Sequence, residues 1–530
     1  HVRGGRSGEV AYWVDGIAAT DGYSGNMGVQ VENSSVQELQ VISGTFNAEY
    51  GQAMSAVVNI VTKEGGDKLH GEFSAYTGDY LSYDDDTYWV LEPNSDEISA
   101  IRSPQEGTYA KTNPLRSFNP IYNVQGSLSG PLLKDKLTFF ITGRYFSNDG
   151  YLYGKRWFTP QGLKGDGELV SMNPFAKFSG QGKLAYRLNG NMKLTYTLMG
   201  NQNNFRWYDS YYKYNPDANY KRFENALNNT LTFTHTVSMR TFYEVKYTHS
   251  STDYKHYLYE DPLNSVSYNA DTTFAEDGTA QISYTIGRDS EGYVHGDSLT
   301  APSNWSFADA GTQLQHFKRN TTYDVAKFDI TSQITKNHQL KAGLEGRFNK
   351  LTLDEFYIIP AEEGNEQIVP FLPSIPDRRT PDHNGYSQKP VEFSLYAQDK
   401  MEFNDMIVNF GLRFDYFNSR GKVLADPKDP NIYDPFDPYN KYKNYTPDTP
   451  AEELVEYTVA ERQAFWYKDA TAKMALSPRF GIAYPITDRG VIHFSYGHFF
   501  QIPTFRQLYG ANDGTDTSNP DLEVTTTSGN

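Results

Sequence analysis

The sequence predicts a mainly β fold, a large antiparallel transmembrane β-barrel of which about 13 strands are present, preceded by a small mixed segment. Three observations predict it. From Lys68 onward, apolar and polar residues alternate with a period of two. The connections between those stretches are by turns short and long. The chain is polar, with a mean hydropathy of -0.64, yet it holds 41 tyrosines and 32 phenylalanines. That combination suits strands with rings on one side and polar groups on the other.

At 530 residues the chain exceeds one ordinary soluble domain, which leaves several domains or one very large barrel. Cysteine is absent, so disulfides, Cys-ligated zinc and thiol catalysis drop out together. No run approaches the roughly 18 apolar residues of a spanning helix, so any membrane crossing is by closed β-structure. A formal charge of -17 argues against a nucleic-acid partner. His1 follows no initiator Met and no targeting stretch, and the chain is expected to be processed or incomplete there.

Residues 1–66 are dense in glycine. Val10, Tyr12 and Val14 alternate with Ala11 and Trp13, a strand pattern that ends at the turn pair Asp15-Gly16. Two more short strands are expected at Leu39-Val41-Ile42 and Val57-Val58-Ile60-Val61, around a turn at Tyr50-Gly51.

Beyond Lys68, thirteen strands are expected near 68–80, 120–130, 136–147, 178–188, 191–204, 223–235, 239–252, 321–334, 338–355, 391–403, 406–418, 474–486 and 490–500. The pattern is clearest in 406–418, where Val408, Phe410, Leu412, Phe414 and Tyr416 share a face opposite Asn409, Gly411, Arg413 and Asp415. One face suits lipid and the other a wet lumen. Short turns are expected at Leu132 to Asp135, Asn189-Gly190, Thr236 to Ser238, Thr335 to Asn337, Asn404-Asp405 and Thr487 to Arg489. Long loops cover 81–119, 148–177, 205–222, 253–320, 356–390 and 419–473. Rings gather at the long-loop ends of strands, Phe499-Phe500 among them, as an interfacial girdle would require. Thirteen is odd, whereas single-chain bacterial barrels have even counts and plugged transporters about 22 strands. Closing such a barrel would take on the order of 300 more residues.

With strands and turns placed, residues 1–66 resemble the C-terminal part of a TonB-dependent receptor plug, and 67–530 its incomplete barrel. The matching residues are Arg3-Gly4-Gly5, Val14-Asp15-Gly16, Glu38, Ala48-Glu49-Tyr50-Gly51, then Asn59 to Lys63 (including Thr62-Lys63) and Gly65-Gly66. FQIPTFRQLYG at 500–510, followed by NPDLE, is similar to a strand-to-loop segment of the same barrels. The style of the motif resembles receptors of the Bacteroidota. Ser43-Gly44-Thr45 stands where many iron-siderophore receptors carry Arg-Gly-Pro, and Ser55 and Ala56 stand where glycines are usual.

The resemblance implies an outer-membrane location with outer-membrane lipid around the strands, and energised import with no cofactor. A periplasmic TonB-type energy protein would pull on a segment upstream of His1. A surface lipoprotein or other outer-membrane partner is a further option. The rival reading is a receptor-fold scaffold in an outer-membrane assembly or secretion complex; a second rival is a secreted all-β binding protein such as a propeller.

Substrate contacts are expected in the loop from Thr20 to Ser35, at Tyr23, Asn26, Gln30 and Asn33, unless this is a plain Gly-rich surface loop. Arg3, Glu38 and Glu49 are candidates to bridge plug and wall, with Glu345, Arg347, Arg413 and Asp415 as inward partners. Tyr433 and Tyr439 could stack on a ligand, and Asp426 and Asp429 are weak Ca²⁺ candidates, in a stretch that otherwise reads as an acidic, proline-stiffened loop. Thr449-Pro450-Ala451-Glu452 predicts the start of a helix that runs to Trp466. His493 and His498 share an expected strand on opposite faces. No HExxH, GxSxG, Walker loop or dinucleotide fingerprint occurs in a strand-helix context, so no enzyme is expected.

Overall fold

A computed structural model describes residues 2, 4, 7–43, 47–84, 86–93, 107–116, 121–287, 290–296, 307–364, 366–378, 380, 382–403, 406–487 and 490–509. Two sheets organise it. The smaller holds β1 (Val10–Val14), β2 (Ile17–Ala18), β3 (Val36–Ser43) and β4 (Ala56–Thr62) in the order β2-β1-β4-β3. Strands β1 and β4 run parallel, while β3 and β4 form an antiparallel pair. The β1-β2 hairpin closes through Asp15 and Gly16 at φ 48° and 82°, the two positive values a tight primed turn requires.

The larger sheet holds thirteen strands in chain order. They are β5 (His70–Gly78), β6 (Ile121–Leu133), β7 (Leu137–Asn148), β8 (Phe175–Arg187), β9 (Met192–Phe205), β10 (Lys221–Ser238) and β11 (Thr241–Tyr257), followed by β12 (Gln315–Gln333), β13 (His338–Tyr357), β14 (Val391–Phe403), β15 (Met406–Asn418), β16 (Lys473–Thr487) and β17 (Gly490–Gly497). Each pairs antiparallel with the next, and among the described residues β5 and β17 are open edges. Every strand expected from the period of two is present. A short strand, His383–Gln388, adds to the outer half of β13.

The sheet curves around the smaller one and is inverted relative to a soluble protein. On β15, Phe410, Leu412 and Phe414 are exposed and Gly411, Arg413 and Asp415 are buried. On β8 the buried row is Lys177, Ser179, Gln181 and Lys183, with Phe178 and Leu184 outside. Polar inward and apolar outward is the pattern of a strand between lipid and a wet or plugged lumen. Among the described residues no helix is long and apolar enough to cross a membrane.

Several expectations need correction. Strands β10, β11 and β12 reach further into the long-loop side than their alternation indicated. Across those ends Phe223, Tyr257, His316 and Phe356 stack at 5.1 to 5.2 Å between ring centroids, so cross-strand ring pairs extend the ladder. Strand β10 runs through Ser238, which moves the turn expected at Thr236 to Ser238 onto Met239-Arg240. The turn at Asn404-Asp405 and the NPDLE segment lie outside the described residues. Strand β17 stops at Gly497. His498 therefore lies beyond the strand and meets Tyr496 OH at 2.7 Å. Phe499 and Phe500 turn inward, Phe499 under the Arg479 guanidinium and beside the core of the small sheet.

The long connections pack on one another. Trp157 Nε1 donates to Leu91 O at 2.9 Å, and Arg156 bridges Asp166 and Asp217 at 2.7 and 2.5 Å. Within the long loop expected at 253–320, a hairpin, Tyr268–Phe274 with Ala280–Ile286, turns at Asp277-Gly278, a pair with the chemistry of a tight turn. The expected helix begins later than Thr449. Pro450 is extended at ψ 144°, Ala451–Glu453 makes one tight turn, and α1 spans Val459–Trp466. Thr458 and Glu461 form a reciprocal capping box there, a better start than Thr449, whose hydroxyl is taken by Thr446 and Asn444 O. Thr458→Ala is expected to cost about 1 kcal/mol, read as faster limited proteolysis of the 419–472 loop with cleavage elsewhere unchanged.

Candidate functional site: the interface between the two sheets

Two apolar clusters seat the small sheet, the expected plug, against the large sheet, the expected wall. Val14, Ala19, Val29 and Ile60 pack with Met199 and Ala226 of the wall, while Ala11, Trp13, Ala53 and Val57 pack with Tyr50 and Phe499. Much of the remaining contact is polar, and most of it brings wall cations to carboxylates and carbonyls of the expected plug.

The Asp15-Gly16 turn is its centre. Asp15 accepts from Thr62 N at 2.8 Å and Thr62 Oγ1 at 2.7 Å, which ties the β1 turn to the end of β4. Lys183 pairs with the same carboxylate at 2.9 Å and also donates to Thr62 O. Lys246 and Lys327 donate to the carbonyls of Asp15 and Gly16, both at 3.1 Å. A Cβ on Gly16 would stand 2.5 Å from Lys246 Nζ, so glycine answers here to the neighbour as well as to its φ.

A second contact lies at Asn47 to Gly51. Arg479 donates to the carbonyls of Asn47 and Tyr50, both at 2.6 Å, and Arg413 donates to those of Ala48 and Glu49 at 3.3 Å. Asp415 orients Arg413 from 2.9 Å. Lys341 pairs with the Glu49 carboxylate, and Gln398 accepts from Glu49 N. A Cβ on Gly51 would collide with the Arg413 guanidinium, and one on Gly411 would sit 2.8 Å from Ala48 Cβ. Four wall strands thus grip one turn of the plug.

The third contact is Glu32. It accepts from Lys177 at 2.5 Å, Arg144 at 2.8 Å and Ser179 at 2.7 Å. Burial alone would raise its pKa, but these hydrogen bonds outweigh burial and hold the carboxyl below the ordinary glutamate range. A lowered folded pKa contributes stability that is complete above the unfolded value of about 4.3 and is lost as pH falls through the folded one. Acid is therefore expected to loosen this side of the plug below about pH 4, and Glu32→Gln to flatten that loss, measured by hydrogen exchange of residues 29–36 against pH.

The sequence-expected residues divide. Glu49, Arg347, Arg413 and Asp415 stand in the interface, Arg347 donating to Ala18 O at 2.5 Å. Glu345 lines a cavity of about 90 Å³ beside them, together with Trp13, Asp21 and Glu392. Glu38 does not bridge: it is exposed on β3 and accepts from Gln40 at 2.6 Å. Arg3 and Gly5 lie outside the described residues, and Gly4 is exposed. Lys63 closes β4 through its N–H to Ser35 O at 2.7 Å.

In the Thr20–Ser35 loop, Asn26, Gln30 and Asn33 are exposed, although the Gln30 amide oxygen accepts from Lys177 at 2.5 Å. Tyr23 is half-buried, its ring 4.3 Å from the Arg319 guanidinium. Tyr433 and Tyr439 are exposed far along the chain in the 419–472 loop. Asp429 is buried and already accepts from Phe436 N, Asp437 N and Asn440 Nδ2 at 2.9 to 3.0 Å, donors a cation would have to displace, while Asp426 accepts from Lys428 N. Among the described residues no group of three acidic or histidine side chains is placed to hold a metal.

Glu32, Asp21 and the wall cations Arg144, Lys177, Lys183, Lys246, Arg319, Lys327, Lys341 and Arg479 were missed. The signal existed for Arg144, Lys183, Lys246, Lys327, Lys341 and Arg479, which occupy inward positions of the expected strands, but not for Lys177 and Arg319, which lie in strand ends that were expected to be loop.

The chain is 29% identical over 140 residues to the TonB-dependent transporter Oar of Myxococcus xanthus, covering 26% of this chain and 12% of that protein. Among solved structures it is similar to the outer membrane transporter YddB from Escherichia coli, with a TM-score of 0.52, 10% identity and coverage of 94% of this chain and 54% of that one. It is also similar to the copper transporter OprC, with a TM-score of 0.54, 10% identity and coverage of 97% and 60%. The chain thus spans little more than half the length of these solved barrels. A family model described as TonB dependent receptor-like, beta-barrel matches residues 202–528, more than half of the chain. The chain belongs to that family, the TonB-dependent receptors, whose barrels lie in the outer membrane.

Proposed function

We propose that this chain is the plug-and-wall part of an importer in which a TonB-type protein, acting on a segment upstream of His1, pulls the plug away from the wall. The carrying observation is the chemistry of the interface. Lys183, Lys246, Lys327, Arg413 and Arg479 hold plug carbonyls and carboxylates through hydrogen bonds that water can replace one at a time. A contact of that kind yields to a pull and re-forms.

Residues 1–66 act as the plug and the strands from β5 onward as the wall. Substrate arrives from the long-loop side, where Asn26, Gln30 and Asn33 are exposed on the plug and Tyr433 and Tyr439 stand in the 419–472 loop. Binding and translocation, with no bond made or broken, are the whole of the activity.

The test is uptake by the full-length protein of a panel of metal complexes, cobalamin, glycans and peptides, in cells with and without the energy protein. Saturable uptake that disappears with the energy protein is expected. An envelope assembly defect on deletion, with no uptake of any member, would replace import by the scaffold reading.

A further inference from the structure

Beyond Gly497 the chain turns inward and lies across the outer end of the plug. Gln501 Nε2 donates to Gly8 O at 2.5 Å, Ile502 N to Gln52 Oε1 at 2.9 Å, and Phe505 N to Gly22 O at 2.7 Å. The segment ends in α2 (Phe505–Tyr509), whose Tyr509 OH donates to Ser419 O at 2.7 Å, just past the end of β15. Residues 501–509 therefore hold plug and wall at once.

The plug is shaped to receive it. A Cβ on Gly22 would stand 2.5 Å from the Phe505 ring, and one on Gly25 would stand 3.2 Å from Thr504 Cγ2. Phe505, Leu508 and Tyr509 are buried with Leu351 and Phe417 of the wall, and Tyr23 packs against that cluster. Tyr23 and its stacked partner Arg319 thus lie under the segment.

A five-residue helix has too few internal hydrogen bonds to stand alone, so α2 keeps its form only while plug and wall are both in place beneath it. A plug that shifts against the wall must break one set of its contacts. A ligand from outside reaches Tyr23 only after the segment lifts.

We propose that Gln501–Tyr509 is a displaceable strap, which holds the plug apex at rest, covers the Tyr23-Arg319 pair, and exposes that pair when it releases Gly8 and Gly22. The strap requires no transport cycle, so its test is independent of the import reading.

The chain has no cysteine, and any thiol elsewhere in the full-length protein is first replaced by serine, so that introduced thiols report alone. In the full-length protein in intact cells, Tyr23→Cys is labelled from outside with a membrane-impermeant maleimide. Labelling is expected to be slow with the native strap and at least tenfold faster when Phe505→Ala is added. If that variant loses heat-modifiable migration, Gln52→Ala, which removes the acceptor of Ile502 N, takes its place. A Gly8→Cys/Thr504→Cys pair is expected to oxidise under mild oxidant, since the Gly8 Cβ position lies 3.7 Å from Thr504 Cγ2. Equal labelling with native and weakened strap, or a pair that stays reduced, overturns the proposal.

Discussion

Asp15→Ala is expected to destabilise the plug by about 3–5 kcal/mol while the thirteen-strand sheet still forms. The carboxylate unites three things: the end of β4 through Thr62, the wall through Lys183, and its own turn. Without it, Lys183 stays buried with no anion and only Thr62 O as an acceptor, while Lys246 and Lys327 keep Glu244 and Asp329 beside them and the main-chain carbonyls of a loosened turn. Breaking one partner of a buried pair costs more than the pair contributes, because the other charge is stranded. Amide exchange in β1 and β4 is expected to speed at least about a hundredfold, following that loss of local stability, while exchange in β10 to β13 is unchanged. A change under about 1 kcal/mol would place Asp15 among solvated surface ions and remove it as the centre of the interface.

Gly65→Val is expected to unseat the junction between plug and wall, at a cost of about 3 kcal/mol or more, whereas Gly66→Val next to it is expected to be nearly neutral. A Cβ on Gly65 would stand 2.2 Å from Phe139 O and 2.7 Å from Phe139 C and N, all main-chain atoms of β7. Backbone in mid-strand cannot swing aside as a long side chain does. At Gly66 nothing lies within 4 Å. Thermal unfolding in detergent, followed by Trp fluorescence, compares the two variants. Equal midpoints would show that the junction does not rest on β7.

The barrel was legible because its rule is local. In β15 each residue's side follows from its parity, so Phe410 and Arg413 could be assigned to lipid and lumen without a partner strand in view. The turn at Asp15-Gly16 was legible for a similar reason, since that pair accepts positive φ. Helix α1 was half legible: two capping patterns stood nine residues apart, and only packing chose between them. Arg462 decided it, buried and donating to Ile432 O and Tyr433 O at 2.9 and 3.2 Å, contacts that fix the helix from Val459 onward.

The contacts between plug and wall were not legible. Glu32 resembles any polar loop residue until β7 and β8 bring Arg144, Lys177 and Ser179 to it from more than a hundred positions away. Glu38 and Glu49 carry equal weight in the motif, yet Glu49 meets Lys341 and Glu38 faces away. Phe499, which ended a strand in the period-two reading, lies against the plug core. By itself, then, the sequence determined thirteen strands of a membrane barrel and the strands of the small sheet expected to be its plug, because strand periodicity and turn chemistry act over a few residues. Only the tertiary structure decided which side chains hold that plug, because an inward-facing cation has many reachable acceptors and the curvature of the sheet selects among them.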